Sequence, residues 1–316
     1  MALRHLDSVW PELPYAALRP TLETLQLWTQ VVGKVRLAKT PWVNHSWHVT
    51  LYVSARGLTT GLVPHGALGF ELEFDFVSQA LVIRVSDGGQ AQIALMPRSV
   101  ADFHAELSEK LAALWVPVEI DVHPNEVAVA TPFPQDRVVR DYDHDGAHRF
   151  WLALVQCNRV LNLFRTRFIG KSSPVHFFWG SFDLAVTRFS GRSAPLHPGG
   201  VPHLPDAVTR EAYSHEVSSA GFWPGGGDID YAAFYSYSYP TPAGFAEAVV
   251  APQEARFDPQ LGEFLLPYDA VRNASDPDAV LLSFLQSTYE AAAKAGAWDR
   301  SLEIDEGLLG RPRLVV

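Results

Sequence analysis

Hydrophobic and polar residues follow helical and strand-like periods along the chain, and the same order of periods occurs twice. In the first half, apolar residues recur at helical spacing over 21–37, where Thr21 can cap the helix. A second helical pattern starts after Ser99. Between and after these helices, alternating patterns predict strands at 48–56, 68–77, 80–97 and 116–122.

The second half repeats this order. A long amphipathic helix is predicted over 145–171, followed by a strand at 175–189, further strand patterns between 232 and 271, and a helix at 276–296. The first helix of each half ends in Gly-Lys. We therefore predict an α+β fold made of an internally duplicated helix–antiparallel strands–helix unit, with two mainly antiparallel sheets or one shared sheet flanked by helices. The first repeat spans 1–140 and the second 141–316, in one compact pseudo-symmetric unit.

One segment breaks the duplication. Residues 190–229 are rich in Pro, Gly and His and contain one short helical pattern around 206–217. An irregular insertion of this length in a compact domain is usually functional or disordered, and its aromatic content argues against disorder. We therefore expect a pocket between this insertion and the second-half sheet.

Composition limits the class of protein. Of the 316 residues, 47% are hydrophobic and 12% aromatic, which supplies a sizeable core and rings that can line a small-molecule pocket. The net charge of −10 argues against nucleic acid or an anionic membrane surface as the main partner. The single cysteine, Cys157, excludes an intramolecular disulfide and a cysteine-based zinc site. With no signal peptide and no long apolar run, we predict a cytoplasmic protein.

Several long strings of the chain resemble a bacterial family of unknown function. They are LPYAALRPTLETLQLWTQVVGKVRLA, NHSWHVTLYVSARGLTT, SPVHFFWGSFDLAVTRFSGR, EAYSHEVSSAGFWPGGG and GEFLLPYDAVR, and the resemblance extends from about residue 10 to 303. It implies a bacterial protein and carries no established activity. The candidate residues therefore have to come from the sequence itself.

The segment PVHFFWGSFDLAVTRFSGR, residues 174–192, carries Asp183 and Arg188 in an otherwise apolar and aromatic run. A weakly similar segment lies at 41–57. As one continuous strand, it would direct Asp183 to one face and Arg188 and His176 to the other. The face with Asp183 mixes hydroxyl groups, a carboxylate and large rings. That mixture favours a pocket lining over a solvated sheet face.

The polar residues of this strand and of the insertion are the candidate chemistry. We predict that the catalytic groups are Asp183, Arg188, His215 and Glu216. Ligand-binding contacts are predicted at Trp179, Phe222, Trp223, Tyr237, His48 and Tyr52. A purely structural alternative is an ion pair of Asp183 with Arg192, Arg210 or Arg56.

Two more specific hypotheses concern metal binding and hydrolysis. Imidazole and carboxylate groups are common ligands of iron, copper and zinc, and the candidates are His176, His215 and Glu216, although no diagnostic spacing occurs. A hydrolase would use Ser181, Ser218 or Ser219 as nucleophile, His215 as base and Asp183 as the orienting group, without the usual sharp turn around the serine.

These observations together predict an intracellular enzyme with an aromatic-lined polar pocket for a small molecule. Its chemistry could depend on a His/carboxylate metal site and be redox or hydrolytic. The alternatives are a metal-free small-molecule binding protein and a protein-interaction scaffold.

Overall fold

The computed structural model describes residues 9–304, and the residues before and after this range lie outside the description. In chain order, the first half consists of helix α1, Tyr15–Lys39, then one antiparallel sheet, and then helix α2, Val100–Ala113. The six strands are β1 Tyr52–Val53, β2 Gly57–Thr59, β3 Val63–His65, β4 Leu68–Asp75, β5 Ala80–Val85 and β6 Gln90–Ala94. They are arranged in the order β1-β2-β4-β5-β6, with β3 paired to β4. Ser99 caps α2 as predicted, accepting the backbone N–H of Asp102 at 3.0 Å.

The second half repeats the order of helix, antiparallel sheet and helix. Its helices are α3 His144–Arg165, the short α4 Asp206–Ala212, α5 Tyr268–Arg272 and α6 Pro277–Ala295. Its strands are β7 His176–Phe178, β8 Asp183–Ser193, β9 His215–Trp223, β10 Ala233–Tyr239, β11 Arg256–Asp258 and β12 Glu263–Pro267. They are arranged as β11-β12-β10-β9-β8-β7. The predicted α+β class with two mainly antiparallel sheets is confirmed.

The two sheets meet through their first strands. An antiparallel bridge pairs Leu51 with Phe177, with N–H···O distances of 2.9 and 2.8 Å in the two directions. The bridge joins the segment 41–57 to the similar segment at 174–192. Antiparallel contact between corresponding edges is what a two-fold related pair of units produces, so it agrees with the predicted duplication, which stays a prediction.

The predicted strand at 175–189 is a hairpin. Strand β7 ends at Phe178, the chain turns through Gly180 and Phe182, and β8 then runs back along β7. The backbone of Phe182 adopts φ +61°, and its N–H donates to the carbonyl of Phe178 at 2.8 Å. Because cross-strand partners share a face, Phe178, the partner of Asp183, and His176, the partner of Ala185, both lie on the face of Asp183. For His176 this is opposite to the assignment made for a continuous strand. The expected separation of Asp183 from Arg188 holds, because both belong to β8.

Four other sequence predictions are corrected. The strand predicted at 48–56 is reduced to the two residues of β1, because a 3-10 turn over Asn44–Ser46 precedes it. The stretch 116–122 forms no strand. The insertion 190–229 is only partly irregular, since β9 lies at the centre of the second sheet. Helix α1 begins before the predicted cap Thr21, whose hydroxyl instead accepts the N–H of Asp143 at 2.9 Å and links the halves.

Helices cover one face of each sheet. In the first half, Trp28 of α1 stacks on Phe103 of α2 with ring centroids 4.9 Å apart. In the second half, α3 and α6 pack on the face of β8 and β9 that carries Leu184 and Phe222. The opposite face of the second sheet carries Asp183 and faces a cavity. Within residues 9–304, no helix is long and apolar enough to cross a membrane.

Candidate active site

A cavity of about 430 Å³ lies between the second sheet and four other parts of the chain. The sheet forms its floor, and the other walls come from helix α1, from the segments 42–49 and 121–126, and from helix α4 with the loop before it. Its aromatic lining is Trp42, Trp47, Phe178, Trp179, Phe189, Tyr213, Tyr235 and Tyr237. This volume suits a small organic molecule.

The floor is organised around Asp183, which is 7% exposed. Its carboxylate accepts hydrogen bonds from the hydroxyl groups of Ser181 and Tyr235. The Tyr235 ring reaches Asp183 from β10 by crossing β9 at Gly221, where a Cβ atom would lie 2.6 Å from the Tyr235 hydroxyl. Burial raises the pKa of Asp183, and the two hydroxyl donors oppose this shift in part.

A row of hydroxyl groups continues the floor. The Tyr213 and Tyr237 hydroxyls lie 2.8 Å apart, and the Thr187 and Ser219 hydroxyls are hydrogen-bonded at 2.9 Å. Burial raises the pKa of Tyr213 to about 12 and raises that of Tyr237 as well, so both phenols are protonated at neutral pH. These groups can donate and accept hydrogen bonds to a ligand.

Glu126 supplies a second carboxyl group to the cavity. Its backbone adopts φ +56°, and its N–H donates to the carbonyl of Pro202 at 3.1 Å. Its side chain lies against the Gly180 turn, where a Cβ atom would come within 2.1 Å of Glu126 Oε1. Burial, followed by the charge of Asp183, raises the pKa of Glu126 to about 7.

A third carboxyl group lies next to the tyrosines of β10. Burial, followed by the charges of Asp183 and Asp258, raises the pKa of Glu263 to about 8. Within residues 9–304, neither Glu126, Asp183 nor Glu263 forms an ion pair with a basic side chain. This part of the molecule therefore concentrates acidic groups without compensating cations.

Lys34 lines the cavity and is 2% exposed. Its ammonium group donates to Asn125 Oδ1 at 2.7 Å and to Asp121 Oδ2 at 3.3 Å, and it lies 5.7 Å from the ring centroid of Trp179. The Trp179 indole is fixed by donation to the carbonyl of Val49 at 2.8 Å. The pKa of Lys34 is lowered by burial, which the charge of Asp121 partly offsets. The charge of the Lys34 ammonium group is thus already compensated by the carboxylate of Asp121.

Three histidines line the cavity from the segment 42–49 and from β7. The His45 imidazole is held between the carbonyl of Ala212, at 3.0 Å, and the ammonium of Lys171, at 2.6 Å. His48 Nδ1 contacts the backbone of Val43 at 3.2 Å. His176 is 1% exposed, and neither of its ring nitrogens has a hydrogen-bond partner in the described residues. Burial lowers the pKa of His176 to about 3, so its imidazole is neutral.

The structure brings together only some of the residues singled out from the sequence. Those that line the cavity are Asp183, Trp179, Tyr237, His48 and His176. Tyr52 packs beside His176, with ring centroids 6.5 Å apart. His215 lies nearby, 6.1 Å from the His45 ring, with its Nδ1 3.1 Å from Ser214 Oγ.

The other predicted site residues lie away from the cavity. Arg188 points to the helix-covered face, where its guanidinium carbon is 3.5 Å from the Phe164 ring centroid and 4.3 Å from that of Tyr289. Burial lowers the pKa of Arg188 to about 10. Phe222 packs in the core against Phe234 at 5.5 Å. Trp223 lies at the end of β9 against Gly226 and does not line the cavity.

The proposed metal ligands do not converge. Glu216 alternates with His215 along β9 and therefore lies on the other face, where it pairs with Arg192 at 2.6 Å. Among residues 9–304, no group of three or more His, Cys, Asp or Glu side chains is placed to hold a metal ion. The set His176, His215 and Glu216 is therefore not a common ligand set.

Two further alternatives can be compared with the geometry. Asp183 pairs with none of the arginines considered for it: Arg56 pairs with Asp75, Arg192 with Glu216 and Arg210 with Asp206. Ser181 donates directly to Asp183, Ser219 is hydrogen-bonded to Thr187, and Ser218 lies on the helix-covered face as the cross-strand partner of Arg188. In the described residues, no histidine is hydrogen-bonded to any of these three serines. The geometry therefore favours neither the structural ion pair nor the serine hydrolase.

Sequence reasoning missed four residues of the site: Lys34, Glu126, Tyr213 and Tyr235. Lys34 lies in the repeated Gly-Lys ending, and of the tyrosines that alternate at 235–239 only Tyr237 is among the predicted binding residues. Glu126 lies in a stretch without a periodic pattern, so its position depends on contacts with Pro202 and Gly180 that are distant in the sequence.

Fold and cavity define an α+β protein with an aromatic-lined cavity that contains carboxyl groups, on the face of its second sheet opposite to α3 and α6. Over residues 10–304, the chain matches the sequence profile described as "Family of unknown function (DUF5996)", and it belongs to that family. No curated protein and no solved structure matches the chain.

Proposed function

We propose that this protein is an enzyme that catalyses proton transfer on a small organic molecule, with Asp183 and Glu126 as the acid–base groups. The observation that carries the proposal is the pairing of two carboxyl groups with raised pKa values in one aromatic-lined cavity. Carboxyl groups with pKa values moved towards neutrality are characteristic of general acid–base sites. A bacterial origin and a cytoplasmic location remain predictions from the sequence.

The two carboxyl groups suit different roles. Glu126, with a pKa of about 7, is present in both protonation states at neutral pH and can accept a proton in one step and return it in another. Asp183 is oriented by Ser181 and Tyr235, which fixes the direction of its free lone pairs. The environments differ as they do in enzymes that use one carboxyl as acid and a second as base.

The remaining lining supports such chemistry. Trp47, Phe178 and Trp179 supply apolar walls that limit water, and a low-polarity site strengthens hydrogen bonds to the reacting groups. Tyr213 and Tyr237 supply hydroxyl groups to orient polar atoms of the substrate. No metal ion takes part in this proposal.

The experiment is to incubate the purified protein with an aqueous small-molecule extract of bacterial cells and to follow consumed and formed compounds by mass spectrometry. We expect at least one compound to be converted by the wild type and by Glu109→Gln, and its conversion to fall by about a hundredfold or more in Asp183→Asn and Glu126→Gln. Glu109 is an exposed residue of α2 and controls for the loss of one carboxylate. Equal conversion in all four proteins would contradict the proposal.

A metal-free binding protein is the second candidate, because the hydroxyl groups of Tyr213, Tyr237, Thr187 and Ser219 already bond to one another in pairs. Such a floor can hold a ligand without chemistry. Native mass spectrometry that detects a bound organic molecule in both wild type and Asp183→Asn, with no compound converted by either, would favour this function.

A further inference from the structure

We infer that the ligand of this cavity is an organic cation, with a protonated amine or another cationic nitrogen beside Asp183 and Glu126 and an apolar or aromatic body against the tryptophan walls. The inference concerns the same cavity as the proposed function and names its substrate class. It depends on the cavity being a ligand site but does not depend on turnover.

The first argument is the charge of the site. Outside the group of Glu126, Asp183 and Glu263, the buried carboxylates of the described residues have basic partners, as Asp75 has Arg56 at 2.5 Å. Asp183 and Glu126 have none, and the charge of Asp183 adds to the burial that raises the pKa of Glu126. Burying carboxyl groups without a cation is costly, so a cationic ligand would supply the missing charge.

The second argument is that the basic groups nearest the cavity are already engaged. Lys34 is bound to Asp121 and Asn125, as described above. Lys171 contacts His45 Nε2 at 2.6 Å and lies 4.7 Å from the ring centroid of Phe189. Within residues 9–304, neither ammonium group is hydrogen-bonded or ion-paired to Glu126 or Asp183, so the place beside these two carboxyl groups is left for the charge of a ligand.

The third argument is the aromatic lining. Faces of Trp, Tyr and Phe rings attract cations within about 6 Å of the ring centroid. Lys34 above Trp179 and Lys171 above Phe189 show that rings of this lining already accept ammonium groups. Tyr235 and Tyr237 stack with centroids 6.1 Å apart directly beside the Asp183 carboxylate. Carboxylates next to such rings form the environment that ammonium ligands require.

A neutral hydrogen-bond acceptor is the competing ligand class, since protonated carboxyl groups could donate to it. The two classes differ in the sign of the proton exchange. A cation favours the ionised carboxylates and releases protons on binding, whereas a neutral acceptor favours the protonated acids and takes protons up. The titratable or charged groups facing Glu126 and Asp183 from the surrounding elements are Lys34, His45, His48, Asp121, His176, Tyr213, Tyr235, Tyr237 and Glu263.

The experiment is calorimetric titration with two matched series. The indole series is tryptamine, tryptophol and indole-3-acetate, and the phenyl series is phenethylamine, 2-phenylethanol and phenylacetate, so each ring is tested as cation, neutral molecule and anion. Measurements at about pH 6 and about pH 8, in buffers of different ionisation enthalpy, give affinity and proton exchange together. The proteins are wild type, Glu126→Gln, Asp183→Asn and the surface control Glu109→Gln, each checked for a cooperative thermal transition.

We expect at least one amine to bind about tenfold or more tightly than its alcohol and its acid, with proton release and with tighter binding at the higher pH. Glu126→Gln should lose this preference and Glu109→Gln should keep it. If Asp183→Asn does not fold, the Glu126→Gln comparison decides alone.

The inference is overturned if neither amine is preferred in its series, if protons are taken up, or if Glu126→Gln binds the amine as tightly as the wild type. Its failure can be told apart from failure of the proposed function. Amine binding without any Asp183-dependent conversion of a compound would reject the enzyme and keep the cationic ligand. Asp183-dependent conversion of a neutral or anionic compound would keep the enzyme and reject the cationic ligand.

Discussion

The side chain of Tyr235 reaches Asp183 by crossing the backbone of the strand between them. This path depends on Gly221, because a Cβ atom there would lie 2.6 Å from the Tyr235 hydroxyl and 2.3 Å from the carbonyl oxygen of Leu184. A residue without a side chain is thus part of how the site orients its carboxylate.

We predict that Gly221→Ala lowers the free energy of unfolding by about 1–3 kcal/mol, because the methyl group forces the ring or the strand to move. Urea denaturation measures this cost. In a Tyr235→Phe background the cost should be smaller, since the nearest side-chain atom is gone, and the double-mutant cycle gives the coupling. An unchanged stability in Gly221→Ala would show that the ring does not need this path.

At the scale of elements, helix α4 is tied to the 3-10 turn over Asn44–Ser46 by one side chain. Both carboxylate oxygens of Glu211 accept the backbone N–H of His45, at 2.7 and 2.8 Å. His45 and Ser46 both adopt positive φ, at +60° and +56°, which is unfavourable for residues with a side chain. Glu211 therefore holds a strained turn that forms part of the cavity wall.

We predict that Glu211→Ala loosens this wall with a smaller effect on the rest of the fold. The loss of an ionic hydrogen bond to a strained turn costs about 1.5–3 kcal/mol locally. Hydrogen exchange followed by mass spectrometry should show faster exchange at 42–50 and 201–214, with the strands β4 and β5 unchanged. Uniform acceleration over the whole chain would contradict a local role, and Glu109→Gln is the neutral control.

Elements with regular periods were predictable from the sequence, and the site was predictable only where it lies on them. Asp183 and Tyr237 belong to strands in which side chains alternate between the two faces, so it could be inferred that each lies on a polar face. The hairpin at Gly180 was missed because the aromatic run continues through the turn without a change of composition. Strand β9 was assigned to an irregular insertion because Pro- and Gly-rich stretches lie on both sides of it.

The positions of Glu126 and Lys34 could not be predicted for a different reason. Each depends on contacts far apart in the chain, such as the hydrogen bond from Gln30 to the carbonyl of Asn125 at 2.8 Å. Local periodicity carries no information about such contacts. The same holds for the meeting of the two sheets at Leu51 and Phe177.

At the scale of the whole molecule, the carboxyl cluster makes stability depend on pH in an unusual direction. Glu126 and Glu263 have pKa values of about 7 and about 8 in the folded protein, above the value of about 4.3 expected in the unfolded chain. The folded state therefore binds more protons than the unfolded state in this range, and stability falls as the pH rises. His176 has a pKa of about 3 in the folded protein, below the value of about 6.5 expected in the unfolded chain. Its titration therefore makes stability rise with pH, mainly below about pH 6.5, and there it partly offsets the effect of the carboxyl groups.

We predict that the free energy of unfolding decreases by about 1–2 kcal/mol between about pH 6.5 and about pH 8. Urea denaturation at both pH values measures it. Glu126→Gln and Glu263→Gln should each flatten the dependence, and Glu109→Gln should leave it unchanged. A stability that rises over this interval, or a slope that both Glu126→Gln and Glu263→Gln retain, would count against the buried acids.

The central claim is that the cavity holds carboxyl groups able to exchange protons near neutral pH, and infrared difference spectroscopy tests it most directly. The carbonyl band of protonated carboxyl groups is followed between about pH 5 and about pH 9 in the wild type and in Glu126→Gln, Glu263→Gln and Glu109→Gln. We predict a band that is lost with a midpoint near pH 7, is absent from Glu126→Gln and is retained in Glu109→Gln. A wild-type protein whose carboxyl groups are all ionised by about pH 6 would contradict the acid–base site.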